Sequence, residues 1–127
     1  MRFRYGNRYQ LLKKFKKSKK SGNDNKHKWT AYFEPVDARI KMDKLIDQVE
    51  FHLDPDFKNP RKIKSELPFQ HTAIGWGTFD LDVLVVWKEW TGMEPSKMTF
   101  EIVFAQEGVA LNFTVKMDKD LYKKYMK

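Results

Sequence analysis

The chain has 127 residues, a formal charge of +8 and no cysteine, which sets the scale at one domain and excludes disulfide frameworks, thiolate zinc sites and cysteine nucleophiles. It carries no apolar run long enough to span a bilayer and no apolar h-region behind its basic start, so neither a membrane partner nor a secretory signal is expected. Its basicity is local: residues 1 to 28 hold eleven Lys and Arg against Asp24, a net +10, and the remainder sums to −2.

Arg2 to Asn7 alternates basic with apolar residues and predicts an edge strand, continued by Tyr9 to Leu12 after a Gly-Asn bend. Residues 13–28 read as a solvated basic loop insert, because the lysines repel one another and Ser21-Gly22-Asn23-Asp24-Asn25 is turn chemistry. Trp29 to Phe33 is aromatic and β-branched and predicts a strand. After a connection over 36–44, period-2 apolar positions predict another from about Ile46 to Leu53.

Pro55 and Pro60 make 54–60 a loop containing Phe57. Arg61 to Glu66 and Phe69 to Ala73, split by Leu67-Pro68, read as edge strands of a hairpin-like excursion. Gly75-Trp76-Gly77 is then a turn before Phe79 to Trp87, the longest unbroken alternation, with its second half expected to be buried on both faces. A turn at 91–96, strands over Met98 to Phe104 and Ala110 to Met117, and a short terminal helix capped by Asp118 complete the chain. Seven or eight short antiparallel strands without a long helix predict an all-β, immunoglobulin-like β-sandwich.

No catalytic constellation is present: a nucleophile elbow, a phosphate-binding glycine loop and a dinucleotide fingerprint are all missing, so no enzyme and no cofactor are expected. His52, Asp54 and Asp56 alternate as metal ligands can, but Asp beside Pro is also ordinary turn chemistry, and the turn is the expected reading. The lysine run suits sequence-independent phosphate contact, with a solvated surface as the plain alternative. Phe57 and Trp76 stand apart from the other aromatics because each sits in a loop flanked by turn residues. If the loops share one end of a sandwich, the rings face each other across a slot, with backbone N–H groups at Gly75 to Thr78 free for a carbonyl. The competing reading is that Trp76 only covers the open end of the core.

Phe51-His52-Leu53 followed by Phe57-x-Asn59-Pro60, then Pro68-Phe69 and Gly75-Trp76-Gly77-x-Phe79, resembles the YEATS domain, a reader of acylated histone lysines. Tyr5-Gly6-Asn7 and His27-Lys28-Trp29-Thr30-x-Tyr32 are similar to the branch found in SWR-type remodelling and histone acetyltransferase complexes, and the similarity runs from about residue 5 to 104. The resemblance implies one domain over 1–127, a nuclear location, subunits of a chromatin complex as partners, and a histone H3 tail carrying acetyl- or crotonyl-lysine as ligand. It implies that Phe57 and Trp76 sandwich the acyl group and that the backbone at Trp76 and Gly77 takes its carbonyl, with Gly75 and Thr78 alongside. Family members usually carry His-x-Ser where this chain has Asp54-Pro55-Asp56. Asp56 is then expected to accept the amide N–H of the modified lysine, and the paired acids to disfavour acidic acyl groups. Glu101 is the expected contact for a basic residue of the tail. Lys13, Lys14, Lys16, Lys17, Lys19 and Lys20 are the expected contacts for DNA. The alternative is a basic β-sandwich that binds nucleic acid or scaffolds a complex, its acyl pocket degenerate.

Overall fold

The computed structural model describes residues 1–17 and 24–126. They form two four-stranded antiparallel sheets. The first orders β5 (Gln70–Gly75), β2 (Asp24–Pro35), β1 (Arg2–Lys17) and β8 (Val109–Thr114); the second orders β4 (Arg61–Lys64), β3 (Ile46–His52), β6 (Asp80–Trp87) and β7 (Ser96–Glu101). Two short helices, α1 (Met42–Leu45) and α2 (Lys119–Tyr125), lie outside the sheets. The predicted sandwich is the observed one.

Alternation does most of the folding. Phe3, Trp29, Ala31 and Phe33 turn inward from the first sheet and Val49, Phe51, Leu81, Val83 and Val85 from the second, all essentially removed from water. Aromatic contacts bridge the layers, with Phe3 stacked on Phe33 at 5.0 Å and Trp87 tilted against Phe3 and edge-on to Phe33. A buried polar pin ties β1 to the chain just beyond β7 (Ser96–Glu101): Asn7 Nδ2 donates to the Val103 carbonyl and Asn7 Oδ1 accepts from its N–H, each at 2.9 Å. Both donors and acceptors of that side chain are used, which is what permits its burial. Gly6 has φ 155° and a side chain there would collide with the Val109 carbonyl, so β1 can lie against β8 only with glycine at this position. The Tyr32 hydroxyl, paired across from Gly6, donates to that same carbonyl at 3.1 Å.

Several expectations are corrected, among them the end of β8, which stops at Thr114 rather than Met117. β1 is internal, hydrogen-bonded to both β2 and β8, because arginines on alternate positions reach solvent from a central strand as well as from an edge. The residues taken as a basic loop over 13–28 instead continue β1 to Lys17 and open β2 at Asp24, with Lys16 opposite Asn25 and Lys17 opposite Asp24 after a register shift. Successive side chains of a strand go to opposite faces, so a run of lysines does not forbid a ladder. β4 and β5 belong to different sheets rather than to one hairpin, the Leu67-Pro68 turn carrying the chain from one layer to the other. The outward positions Leu84 and Val86 of β6 are half-buried, not enclosed. β7 ends at Glu101, before Phe104. The helix at the C-terminus starts one residue after Asp118, whose Oδ1 accepts the N–H groups of Asp120 and Leu121.

Candidate functional site

The loop after β3 and the connection from β5 to β6 meet at one end of the sandwich. The first loop is closed by the Leu53 N–H donating to the Pro60 carbonyl at 2.8 Å. Inside it, Asp54 Oδ1 accepts the Asp56 N–H at 2.9 Å and the Asp54 carbonyl accepts the Phe57 N–H at 3.0 Å, so the Asp-Pro-Asp segment is an Asx turn that presents Phe57. Asn59 takes φ 51°, a left-handed conformation that asparagine tolerates. Below the turn, Glu50 bridges both stems of the loop: its carboxylate receives Arg61 Nε at 2.6 Å and Nη2 at 3.0 Å, with His52 Nε2 at 2.9 Å and Gln48 Nε2 at 2.7 Å. The guanidinium of Arg61 in particular holds the Glu50 carboxyl down at about 2.

Phe57 is a fixed wall. Its ring is 5.4 Å from Phe79 and 6.2 Å from Trp29, and those two rings are 5.6 Å from each other, a triangle of tilted and edge-on contacts. Trp76 is the opposite case: it is 45% exposed and has no ring contact among the described residues. Between the two opens a cleft of about 510 Å³ lined by Asp54, Asp56, Phe57, Gly75, Trp76, Gly77 and Thr78, together with Asn25, Lys58, Ile74 and Phe79. All seven residues expected at an acyl-lysine site therefore lie around one space. The amide N–H groups of Trp76, Gly77 and Thr78 hold no hydrogen bond among the described residues, leaving three successive donors at the cleft wall.

The glycines have a simpler reason than backbone conformation. Neither takes a positive φ; a Cβ on Gly75 would rest 3.7 Å from Phe57 Cζ, and one on Gly77 would meet nothing within 4 Å. Their bareness keeps the cleft open and the donors uncovered.

Asn25, Lys58 and Ile74 also line the cleft; Lys58 and Ile74 sit beside residues legible from the sequence, whereas Asn25 was not legible, because β2 reaches the cleft only through its register with β5. That register also places His27 opposite Gly75. The His27 ring stacks on Phe104 at 4.1 Å and Nδ1 shares a 2.6 Å hydrogen bond with the Tyr9 hydroxyl; burial, with Lys26 nearby, holds its pKa below the ordinary value. Other expected residues stand apart. Glu101 closes β7 opposite Asp80, exposed and outside the lining. His52 is engaged by Glu50, and no group of three metal-ligating side chains occurs among the described residues. Lys13 and Lys14 are exposed on β1 and Lys16 and Lys17 end that strand, while Lys19 and Lys20 lie outside the described residues.

A model of the YEATS family matches residues 24–106. The chain is 29% identical over 101 residues to "Protein AF-9 homolog" of Candida albicans, covering 80% of this chain and 40% of that protein. It is 32% identical over 80 residues to the Schizosaccharomyces pombe protein of the same name, covering 63% and 36%. The chain thus spans about two-fifths of the length of these curated relatives. Among solved structures, the crystal structure of the yeast AF-9 homologue Yaf9 superposes with a TM-score of 0.78 at 19% identity, over 98% of this chain and 90% of that one. The Yaf9 YEATS domain bound to H3K27ac does so with 0.76 at 20% identity, over 98% and 91%, and the one recognising an H3K122suc peptide with 0.71 at 22%, over 98% and 90%. At such identities the superpositions establish a common fold. The family model covers well over half of the sequence, and the chain belongs to the YEATS family.

Proposed function

We propose that residues 1–127 act as a single, non-enzymatic reader domain for acylated lysine on histone H3 tails, with the acyl group held between Phe57 and Trp76. The observation that carries this reading is the cleft itself: a fixed aromatic wall, an exposed aromatic wall, and three amide donors beside them that are unpaired among the described residues. A flat acyl amide needs those parts, since faces stack on faces and its carbonyl requires a donor once desolvated. Planar crotonyl fits the slot better than acetyl by extending the stacked surface. Asp56, at the mouth, accepts the N–H of the modified lysine, and Glu101 meets a basic residue of the tail. The Yaf9 YEATS domain bound to H3K27ac supports the ligand class. A nuclear location and membership of a chromatin complex follow from the same kinship with AF-9 homologues.

Isothermal titration with crotonyl-, acetyl- and unmodified H3 peptides tests it. Crotonyl above acetyl, with no measurable heat from the unmodified peptide, is the expected order; equal affinities for all three would end the assignment. The second reading, a nucleic-acid-binding scaffold with a degenerate pocket, draws on the +10 charge of residues 1–28 and on the commitment of the Asp54 carboxylate to its turn.

A further inference from the structure

A second concavity, of about 570 Å³, opens where the end of β8, the start of β1 and α2 come together. Its apolar surface is Met1, Val115, Met117 and Tyr122, and the charged side chains among its described lining residues are Lys116, Lys119 and Lys123. All three lysines are exposed and none makes an ion pair among the described residues. No carboxylate lines this groove among the described residues; the adjacent Asp118 spends its Oδ1 capping α2. The cleft at Trp76, by contrast, contains both signs of charge, in Asp54, Asp56 and Lys58.

The two sites sit at opposite ends of the sandwich. Met1 and Val115 exchange hydrogen bonds at the N-terminal end of β1, whereas His27, which pairs with both Leu11 and Gly75, marks the cleft end. Ten residues of strand separate Met1 from Leu11, roughly 30 Å.

We propose that this groove docks an acidic amphipathic segment of a partner protein, at the same time as the cleft at Trp76 is filled. The occupant is argued from charge and shape. A groove whose charged side chains are all cationic favours carboxylates at its rim, and lysines can hold them there while their stems add to the apolar wall. An apolar floor with two methionines takes aliphatic or aromatic side chains of varied shape, which a free anion cannot supply. Its concavity between helix and sheet admits side chains, which a planar headgroup layer does not offer. The inference does not depend on the acyl-lysine reading.

The test uses the 127-residue chain and a fluorescein-labelled synthetic peptide of Glu, Asp, Leu and Phe with its apolar residues at helical spacing, beside a scrambled peptide of equal composition. Saturable anisotropy is expected for the patterned peptide, with amide shifts centred on Val115, Met117 and Tyr122. Binding should weaken about tenfold in the triple variant K116E/K119E/K123E, since rim charges contribute modestly each. Met117→Ser should weaken it as well, with thermal melts confirming that both variants fold. Trp76→Ala and an excess of crotonyl-lysine peptide should leave it unchanged, which separates failure here from failure of the reader assignment. Equal binding of the scrambled peptide, an unaffected triple variant, shifts at other residues, or binding to phosphatidylserine vesicles without binding to the peptide would each overturn the proposal.

Discussion

Trp76 and Asp54 do different jobs at one site, and single substitutions separate them. Trp76 is 45% exposed and supports no core ring, so Trp76→Ala should leave the thermal midpoint within a degree or two of the parent. It removes one wall of the slot, a loss on the order of 2 kcal/mol or about thirtyfold in the Kd for a crotonyl peptide. Titration beside a thermal melt checks both halves, and a large fall in midpoint would return Trp76 to the role of core cover. Asp54 acts through Phe57. Its Oδ1 bond to the Asp56 N–H shapes the turn, and asparagine can make the same bond whereas alanine cannot. Asp54→Asn should therefore keep acyl-peptide affinity, while Asp54→Ala costs about 1 kcal/mol, roughly fivefold. If asparagine weakens binding as much as alanine does, the charge and not the turn is what matters. The Asp54 side chain is in this light first a way of building the loop.

At the scale of elements, the strands most legible from residues alone were those with one wet and one dry face. β6 alternates because its inward positions meet the opposite sheet, and its bounds follow from that pattern, whereas in β3 the Glu50 between Val49 and Phe51 is buried as well. Phe57 and Trp76 stood out because turn residues surround each of them. What alternation cannot carry is non-local pairing. Nothing in the basic run marks Lys16 as the partner of Asn25, and nothing near Asn25 marks it as a neighbour of Trp76; the β1–β2 and β2–β5 registers decide both. The same registers change how the basic hairpin should be tested for DNA contact. Deleting Lys13 to Lys20 would cut the strand that pairs with β2 and disturb Asn25 at the cleft. Replacing Lys13, Lys14, Lys16, Lys17, Lys19 and Lys20 with glutamine keeps the ribbon and removes the charge. Affinity for a DNA duplex should then fall and its dependence on salt flatten, with peptide affinity unchanged, because each phosphate contact contributes to the slope of log K against log salt. Retention of DNA binding with the original slope would remove the hairpin from that role.

For the molecule as a whole, the cleft exists only while the two sheets stay packed, since Phe57 hangs from the second sheet and Trp76 follows β5, an edge strand of the first. Acid should loosen that packing in two adjoining ranges. Burial, with Lys64 and Lys62 nearby, lowers the pKa of His71 from 6.5 to about 4. Between those values the unfolded chain holds the proton and the folded chain does not, so stability falls as pH drops through this range and levels off below about 4. His27, also lowered, adds in the same direction. Glu50 acts next. Its carboxyl goes from 4.5 to about 2, held chiefly by Arg61, and its side chain is only 4% exposed. Its contribution is complete above 4.5 and is lost as pH falls toward 2, on the order of 2 kcal/mol once the exposure of Arg61 is allowed for. Urea midpoints measured from pH 7 to pH 2.5 should descend through both ranges. His71→Gln should flatten the upper range and leave the lower, and Glu50→Gln should lower stability at neutral pH and flatten the lower. An upper slope unchanged by His71→Gln would mean that another group senses the acid. Because Glu50 ties β3 to β4 at the root of the Phe57 loop, crotonyl-peptide affinity should decline across the lower range ahead of global unfolding, linking the sandwich's acid response to its binding site.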